Sequence, residues 1–131
     1  MVLLVTSDVI ATLIAEAAKA APEECCGLLL GRQGCVETAM PTANLAADRL
    51  RHFEIDPAAL FAAHRAARAG GPELIGYFHS HPSDHPVPSA TDCQHASGDE
   101  RAWAIVADGR VAFWRDGAGG FEPLSYEVVD G

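Results

Sequence analysis

Apolar positions along the chain change their spacing from segment to segment, and each change marks an element. The run Val2 to Val5 predicts a short edge strand. Ser7 offers an N-cap, and Val9, Ile10, Leu13, Ile14 and Ala17 recur at helical spacing until Pro22 ends the helix. Cys26 to Leu30 reads as a buried strand, Gly31-Arg32-Gln33-Gly34 as a turn, and Cys35 to Met40 as the hairpin partner. Residues 41–52 read as a loop. Asp56-Pro57 predicts a helix start, with Asp at the N-cap and Pro at the first helical position. Leu60, Phe61, His64 and Ala67 follow on one face, and Gly70-Gly71 stops the helix.

From Glu73 to His81 the pattern alternates as in a strand. Ile75, Tyr77, His79 and His81 fall on one face, and Leu74, Gly76, Phe78 and Ser80 on the other. Pro82 to Pro88 forms a proline-rich loop, and Ser89 opens a helix that reaches about Ser97. Ala102 to Ala107 and Arg110 to Arg115 flank Asp108-Gly109, a strong hairpin signal. Phe121 to Val129 predicts one last strand. Helices interleaved with strands and hairpins predict an α/β class, a mixed sheet covered by helices. Nothing in residues 1–131 suggests a linker, so one domain is expected.

Composition narrows the function. With 49% apolar residues a core is available without staples. Nine basic against 18 acidic residues leave a net charge of −9, which excludes a nucleic-acid footprint built on clustered Lys and Arg. The same balance disfavours an anionic membrane surface and suits a metal cation or a basic protein partner. Cys25, Cys26, Cys35 and Cys93 form no C-x-x-C pair and read as small buried hydrophobes in a reducing compartment. The apolar start is short and lacks a basic leader, and no run approaches the length of a membrane span. The expected setting is cytoplasmic.

The chemistry concentrates in residues 79–92. His79 and His81, two apart on a strand, aim both imidazoles to the same face, where a metal roughly 2.0–2.1 Å from each nitrogen can bridge them. Asp92, in the first turn of the following helix, can supply a third ligand. Three protein ligands leave a tetrahedral position for water, the mark of a catalytic rather than a structural site. This His₂Asp set suits Zn²⁺, and Fe²⁺, Co²⁺ and Mn²⁺ are the other metals it accepts. A bland reading stands beside each assignment. A single strand histidine is usually just packed, whereas two at this spacing are costly to bury without partners. Ser89-x-x-Asp92 is nearly a capping box, so both residues have a purely structural alternative. His85 and Asp84 read as loop residues, His95 as a helix-surface residue, and His52 and His64 have no ligand-like neighbours.

At these residues the sequence resembles the JAMM metalloproteases, also called MPN+ or JAB domains. The family pattern is a Glu, then much later His-x-His-Pro, six residues, Ser, two residues and Asp. His79-Ser80-His81-Pro82, Ser83 to Pro88, Ser89 and Asp92 match every position. The distant Glu normally stands three residues before a glycine in an apolar strand, as Glu24 does before Gly27; Glu23 is off register by one. Phe53-Glu54-Ile55-Asp56-Pro57 is similar to a stretch that opens the middle helix in the bacterial branch. The resemblance spans roughly Pro22 to Arg115 and implies a cytidine deaminase-like MPN/JAB1 fold.

It also implies roles. His79, His81 and Asp92 would bind one Zn²⁺ per chain, Glu24 would act as general base and then general acid, and Ser89 would donate to the tetrahedral oxyanion. Ser80 points to the opposite face and is expected to support its neighbours. Compact relatives imply hydrolysis after the C-terminal Gly-Gly of a ubiquitin-like sulfur-carrier protein of the ThiS/MoaD type. Long insertions that grip ubiquitin chains are missing, which argues against linkage-specific deubiquitination. A homodimer is a further implication. Two other readings are a protein resembling the DNA-repair-associated RadC branch and a non-catalytic MPN scaffold. The acidic composition weighs against the first, and the intact ligand set against the second. A cytidine deaminase activity would need His-x-Glu and Pro-Cys-x-x-Cys, which the sequence lacks.

Overall fold

A computed structural model of the chain describes residues 2–82 and 85–131. Ser83 and Asp84, expected in the proline-rich loop, lie outside the described residues. The elements run β1 (Leu3–Thr6), α1 (Ser7–Ala20), β2 (Cys26–Arg32), β3 (Cys35–Thr42), α2 (Pro57–Arg68), β4 (Glu73–Ser80), α3 (Ala90–His95), β5 (Ala102–Ala107), β6 (Arg110–Gly117), β7 (Gly120–Pro123) and β8 (Tyr126–Val129). The strands form one mixed sheet in the order β7-β6-β5-β4-β2-β3-β1-β8. Pairings are antiparallel except β1–β3, β1–β8 and β4–β5, which are parallel. Among the described residues no helix is long and apolar enough to cross a membrane.

The two helical faces of the sheet have separate cores. On one face Val9 and Leu13 of α1 pack with Leu29, Val36, Phe78, Ala104, Val106 and Phe113. On the other, Leu28 and Leu74 pack with Ala63 and Leu60 of α2. Leu28 and Leu29 therefore serve opposite faces, as strand alternation requires. Gly27 of β2 has no alternative, because a Cβ there would collide with the Phe78 ring and the Met40 carbonyl.

Several expectations need correction. β1 is not an edge strand, because β8 pairs along it from Leu3↔Tyr126 to Thr6↔Val129. The cap of α1 is Thr6, whose hydroxyl accepts from the Val9 N–H at 3.3 Å, and not Ser7. In α2 the buried side chain is Ala63, while Phe61 is 61% exposed with the Arg65 guanidinium over its ring. Pairing between β2 and β4 shifts register between Leu29 and Leu30, which places Leu74 in the core with Tyr77 and Ile75 in the core with Phe78. Strict alternation fails there because a bulge resets the period. α3 stops at His95, two residues short of Ser97. The tail is two strands rather than one, and they lie at opposite ends of the sheet order.

That separation is bridged by curling. Only Leu124 and Ser125 stand between β7 and β8. Leu124 donates to the Phe113 carbonyl on the β6 side, and Ser125 accepts from Leu3 on the β1 side. The Tyr126 hydroxyl donates to the Val111 carbonyl at 3.2 Å, and its ring lies 4.6 Å from that of Phe113. The sheet thus wraps around α1.

Candidate metal centre

β4 runs through the middle of the sheet, and His79 near its end is fully buried. Its ring stacks on Phe53 with centroids 4.2 Å apart and 16° between planes, and Trp103 meets it edge-on at 5.7 Å. Two aromatic walls thereby fix the imidazole plane. His81 follows just beyond the strand, held by its N–H donating to the Val106 carbonyl at 2.8 Å. Its Nδ1 bonds the backbone carbonyl of His85 at 3.0 Å, so the proton belongs on Nδ1 and the Nε2 lone pair is free to face inward.

Asp92 arrives from α3. Ser89 Oγ accepts from the Asp92 N–H at 3.0 Å, and Asp92 Oδ2 accepts from the Ser89 N–H at 2.9 Å. This is a complete capping box. The same Oδ2 lies 3.1 Å from His79 Nε2 and 3.2 Å from His81 Nε2, and the two nitrogens are 3.0 Å apart. The structural and ligand-like readings of Asp92 are therefore not rivals, because one carboxylate is placed to serve both.

These three atoms offer lone pairs to one point, with His79, His81 and Asp92 at 0%, 6% and 4% exposure. Such crowding is costly unless a cation shares it. Ligand atoms roughly 2.0–2.1 Å from a common tetrahedral metal stand about 3.3 Å apart, close to the spacing here. The donor set and its geometry fit a metal ion, and the trio could hold one. Burial pushes the Asp92 carboxyl up, but hydrogen bonds to His79 and His81 outweigh it and hold the group below the usual carboxylate range. Complete burial lowers the pKa of His79. Burial acts the same way on His81, but the Asp92 carboxylate and the His85 carbonyl outweigh it and raise its value.

Glu24 lies just ahead of β2, 7% exposed. Burial lifts its pKa from 4.5 to about 7; His81 pulls it down and Asp92 pushes it up, so its carboxyl feels both expected ligands. Its backbone is clamped. The Glu24 N–H donates to the Arg49 carbonyl at 2.8 Å, and Asn44 Nδ2 donates to the Glu24 carbonyl at 3.0 Å. Next along, Ser80 Oγ accepts from the Cys25 N–H at 2.8 Å and the Ser80 N–H donates to the Cys25 carbonyl. The residue between the two histidines therefore ties their strand to the Glu24 segment, the supporting duty expected of it. Glu23 faces outward and pairs with Arg49 at 3.4 Å.

Other expected positions are more mixed. Cys25 and Cys26 are buried, but Cys35 is half-buried and Cys93 exposed, so only two act as core hydrophobes. Burial raises the Cys26 thiol to about 11 and raises Cys25 as well, which leaves both protonated. His85 is exposed but contributes its carbonyl to His81. His95 is on the surface of α3.

Asn44 was not singled out by the sequence. Besides Glu24 it reaches the His52 carbonyl at 3.0 Å through Nδ2, while its Oδ1 accepts from the Ala46 and Glu54 N–H groups at 3.0 Å each. Its position at the head of a polar, non-periodic stretch was the available signal. Trp103, inside an apolar run, gave no signal of its contact with His79.

Residues 6–117 match the family described as prokaryotic homologs of the JAB domain. The chain is 36% identical to a desampylase of Haloferax volcanii over 82% of its own length and 79% of the relative's. It is 29% identical to the CysO-cysteine peptidase of Mycobacterium tuberculosis, over 99% of this chain and 85% of that one. The solution structure of protein DSY2949 from Desulfitobacterium hafniense superimposes with a TM-score of 0.86 at 27% identity, covering 98% of this chain and 94% of the other. By the extent of these matches and by its curled α/β fold, the chain belongs to the compact prokaryotic branch of the JAB, or JAMM, family.

Proposed function

We propose that this JAMM-type hydrolase cuts the bond after the C-terminal Gly-Gly of a ubiquitin-like sulfur-carrier protein of the ThiS/MoaD type, releasing a terminal residue such as cysteine, or an extension. The observation that carries the catalytic reading is the convergence of His79 Nε2, His81 Nε2 and Asp92 Oδ2 at 3.0–3.2 Å beside a buried Glu24. The names of the desampylase and the CysO-cysteine peptidase support a small protein modifier or carrier as substrate. A cytoplasmic setting and a homodimer belong to the same reading.

His79, His81 and Asp92 would hold one Zn²⁺ per chain, which would supply Lewis acidity for a water and for the scissile carbonyl. Glu24 accepts the proton of the attacking water and delivers it to the leaving nitrogen. Ser89 Oγ already accepts from the Asp92 N–H, so its hydroxyl proton is free to be donated to the tetrahedral oxyanion. Ser80 holds the Glu24 segment against the histidine strand, and Asn44 ties the same segment to residues 44–54.

The test joins two measurements on one sample: metal content by elemental analysis, and mass spectrometry of a carrier extended past Gly-Gly. About one zinc per chain with cleavage after the second glycine, lost on chelation, is expected. A protein that takes up no zinc even after incubation with it refutes the catalytic reading. Zinc without cleavage refutes the substrate and leaves the site standing.

A further inference from the structure

We propose that the cavity beside the metal centre binds a basic side chain, lysine or arginine, from the substrate tail just upstream of the two glycines; this rests on the carrier reading above. The cavity holds about 770 Å³ and lies between the 44–55 segment, the start of α2, and α3. Phe53, Tyr77 and Trp103 line it, and two of these rings are the ones that touch His79. A peptide entering the metal centre from this side must therefore cross it, and two glycines would leave most of it empty.

Its floor offers apolar surface rather than hydrogen bonds. Trp103 lines it but is 5% exposed, and its indole N–H, like His52 Nδ1, is buried out of reach of a bound side chain. Recognition therefore falls to the rings and to the rim.

The rim sets the charge. Asp48 and Glu54 line the cavity, and no lysine or arginine does so among the described residues. Asp48 is shared with Arg51 at 3.8 Å, whereas Glu54 has no ion pair among the described residues. Aromatic rings beneath an unpaired carboxylate suit a side chain with an apolar stem and a cationic head. Asn44 fixes this wall, because the Glu54 and Ala46 N–H groups both donate to its Oδ1.

The probe is a ThiS/MoaD-type carrier with one alanine added past Gly-Gly. Each of the three residues before the glycines is changed in turn to Arg, Leu or Glu, and cleavage by the zinc-loaded wild-type enzyme is followed by mass spectrometry. At one position Arg should give a KM about tenfold below that of Glu, with Leu between them. Glu54→Lys, a change at an exposed position, should reverse that order at the same position only. Cleavage with a KM indifferent to the side chain, or lowest for Leu, overturns this proposal and leaves the carrier reading intact. No cleavage of any carrier overturns both.

Discussion

Replacing Glu24 by Gln should stabilise the metal-free protein while abolishing its activity. Burial raises the Glu24 carboxyl from 4.5 to about 7 in the fold, while in the unfolded chain it ionises near 4.5. Below 4.5 both states keep the proton and the group does not bias folding. Between 4.5 and about 7 the unfolded chain gives up the proton and the folded chain retains it, so stability falls as pH rises. Above about 7 both are ionised and the loss levels off. At about 1.4 kcal/mol per pH unit, the full loss is roughly 3 kcal/mol. Gln has nearly the same shape and no proton to lose.

Urea melts of metal-free wild type and Glu24→Gln check this directly. At pH 8 the variant should be more stable by roughly 2–3 kcal/mol, and at pH 5 the gap should shrink below about 1 kcal/mol. The zinc-loaded variant should keep its metal and cut no carrier. Coincident melts at pH 8, or a gap of the same size at both pH values, would refute the account of Glu24 as a buried, proton-holding carboxyl. Cleavage at the wild-type rate would refute its role as base.

Asp92→Asn should lower zinc affinity by more than about a hundredfold in chelator competition and cost folding less than about 1 kcal/mol, since Ser89 remains the cap and an amide oxygen can still accept from its N–H. A large loss of stability with zinc retained would mean that capping is its only role. Ser89→Ala should remove the cap and the oxyanion donor together, lowering stability by about 1 kcal/mol and kcat by about a hundredfold; an unchanged kcat would leave Ser89 purely structural. Asn44→Asp keeps the acceptor for Ala46 and Glu54 but sets an oxygen against the Glu24 and His52 carbonyls. We expect kcat to fall with KM nearly unchanged, and a loss confined to KM would show that Asn44 serves only the cavity wall.

What the sequence made legible is what depends on near neighbours. Asp56-Pro57 starts α2, Asp108-Gly109 turns β5 into β6, and each works within four residues. His79 and His81 fall on one side because a strand has period two, and Ser89 and Asp92 share a turn because α3 starts there. Apart from the one-residue shift of the α1 cap to Thr6 and the early end of α3 at His95, the missed features are long-range or register effects. β8 reaches β1 across the whole chain, and no residue in 126–129 encodes that pairing locally. The shift at Leu29/Leu30 swaps the faces of Leu74 and Ile75, although both are apolar and fit either core. Asn44 acquires its importance from Glu24, twenty positions away, and Trp103 from His79 on the next strand.

The curl of the sheet has a consequence for how the chain folds. β1 leaves the ribosome well before its pairing partner β8, which follows it by more than a hundred residues. Until residues 126–129 emerge, Leu3 and Val5 sit on a strand with an open edge that can join another chain. Closing so long a loop adds little free energy beyond a shorter one, but it makes the contact slow to form. A nascent chain stalled before Tyr126 should therefore be able to present its histidine strand and α3 while still aggregating through β1, and release of β8 should end that vulnerability.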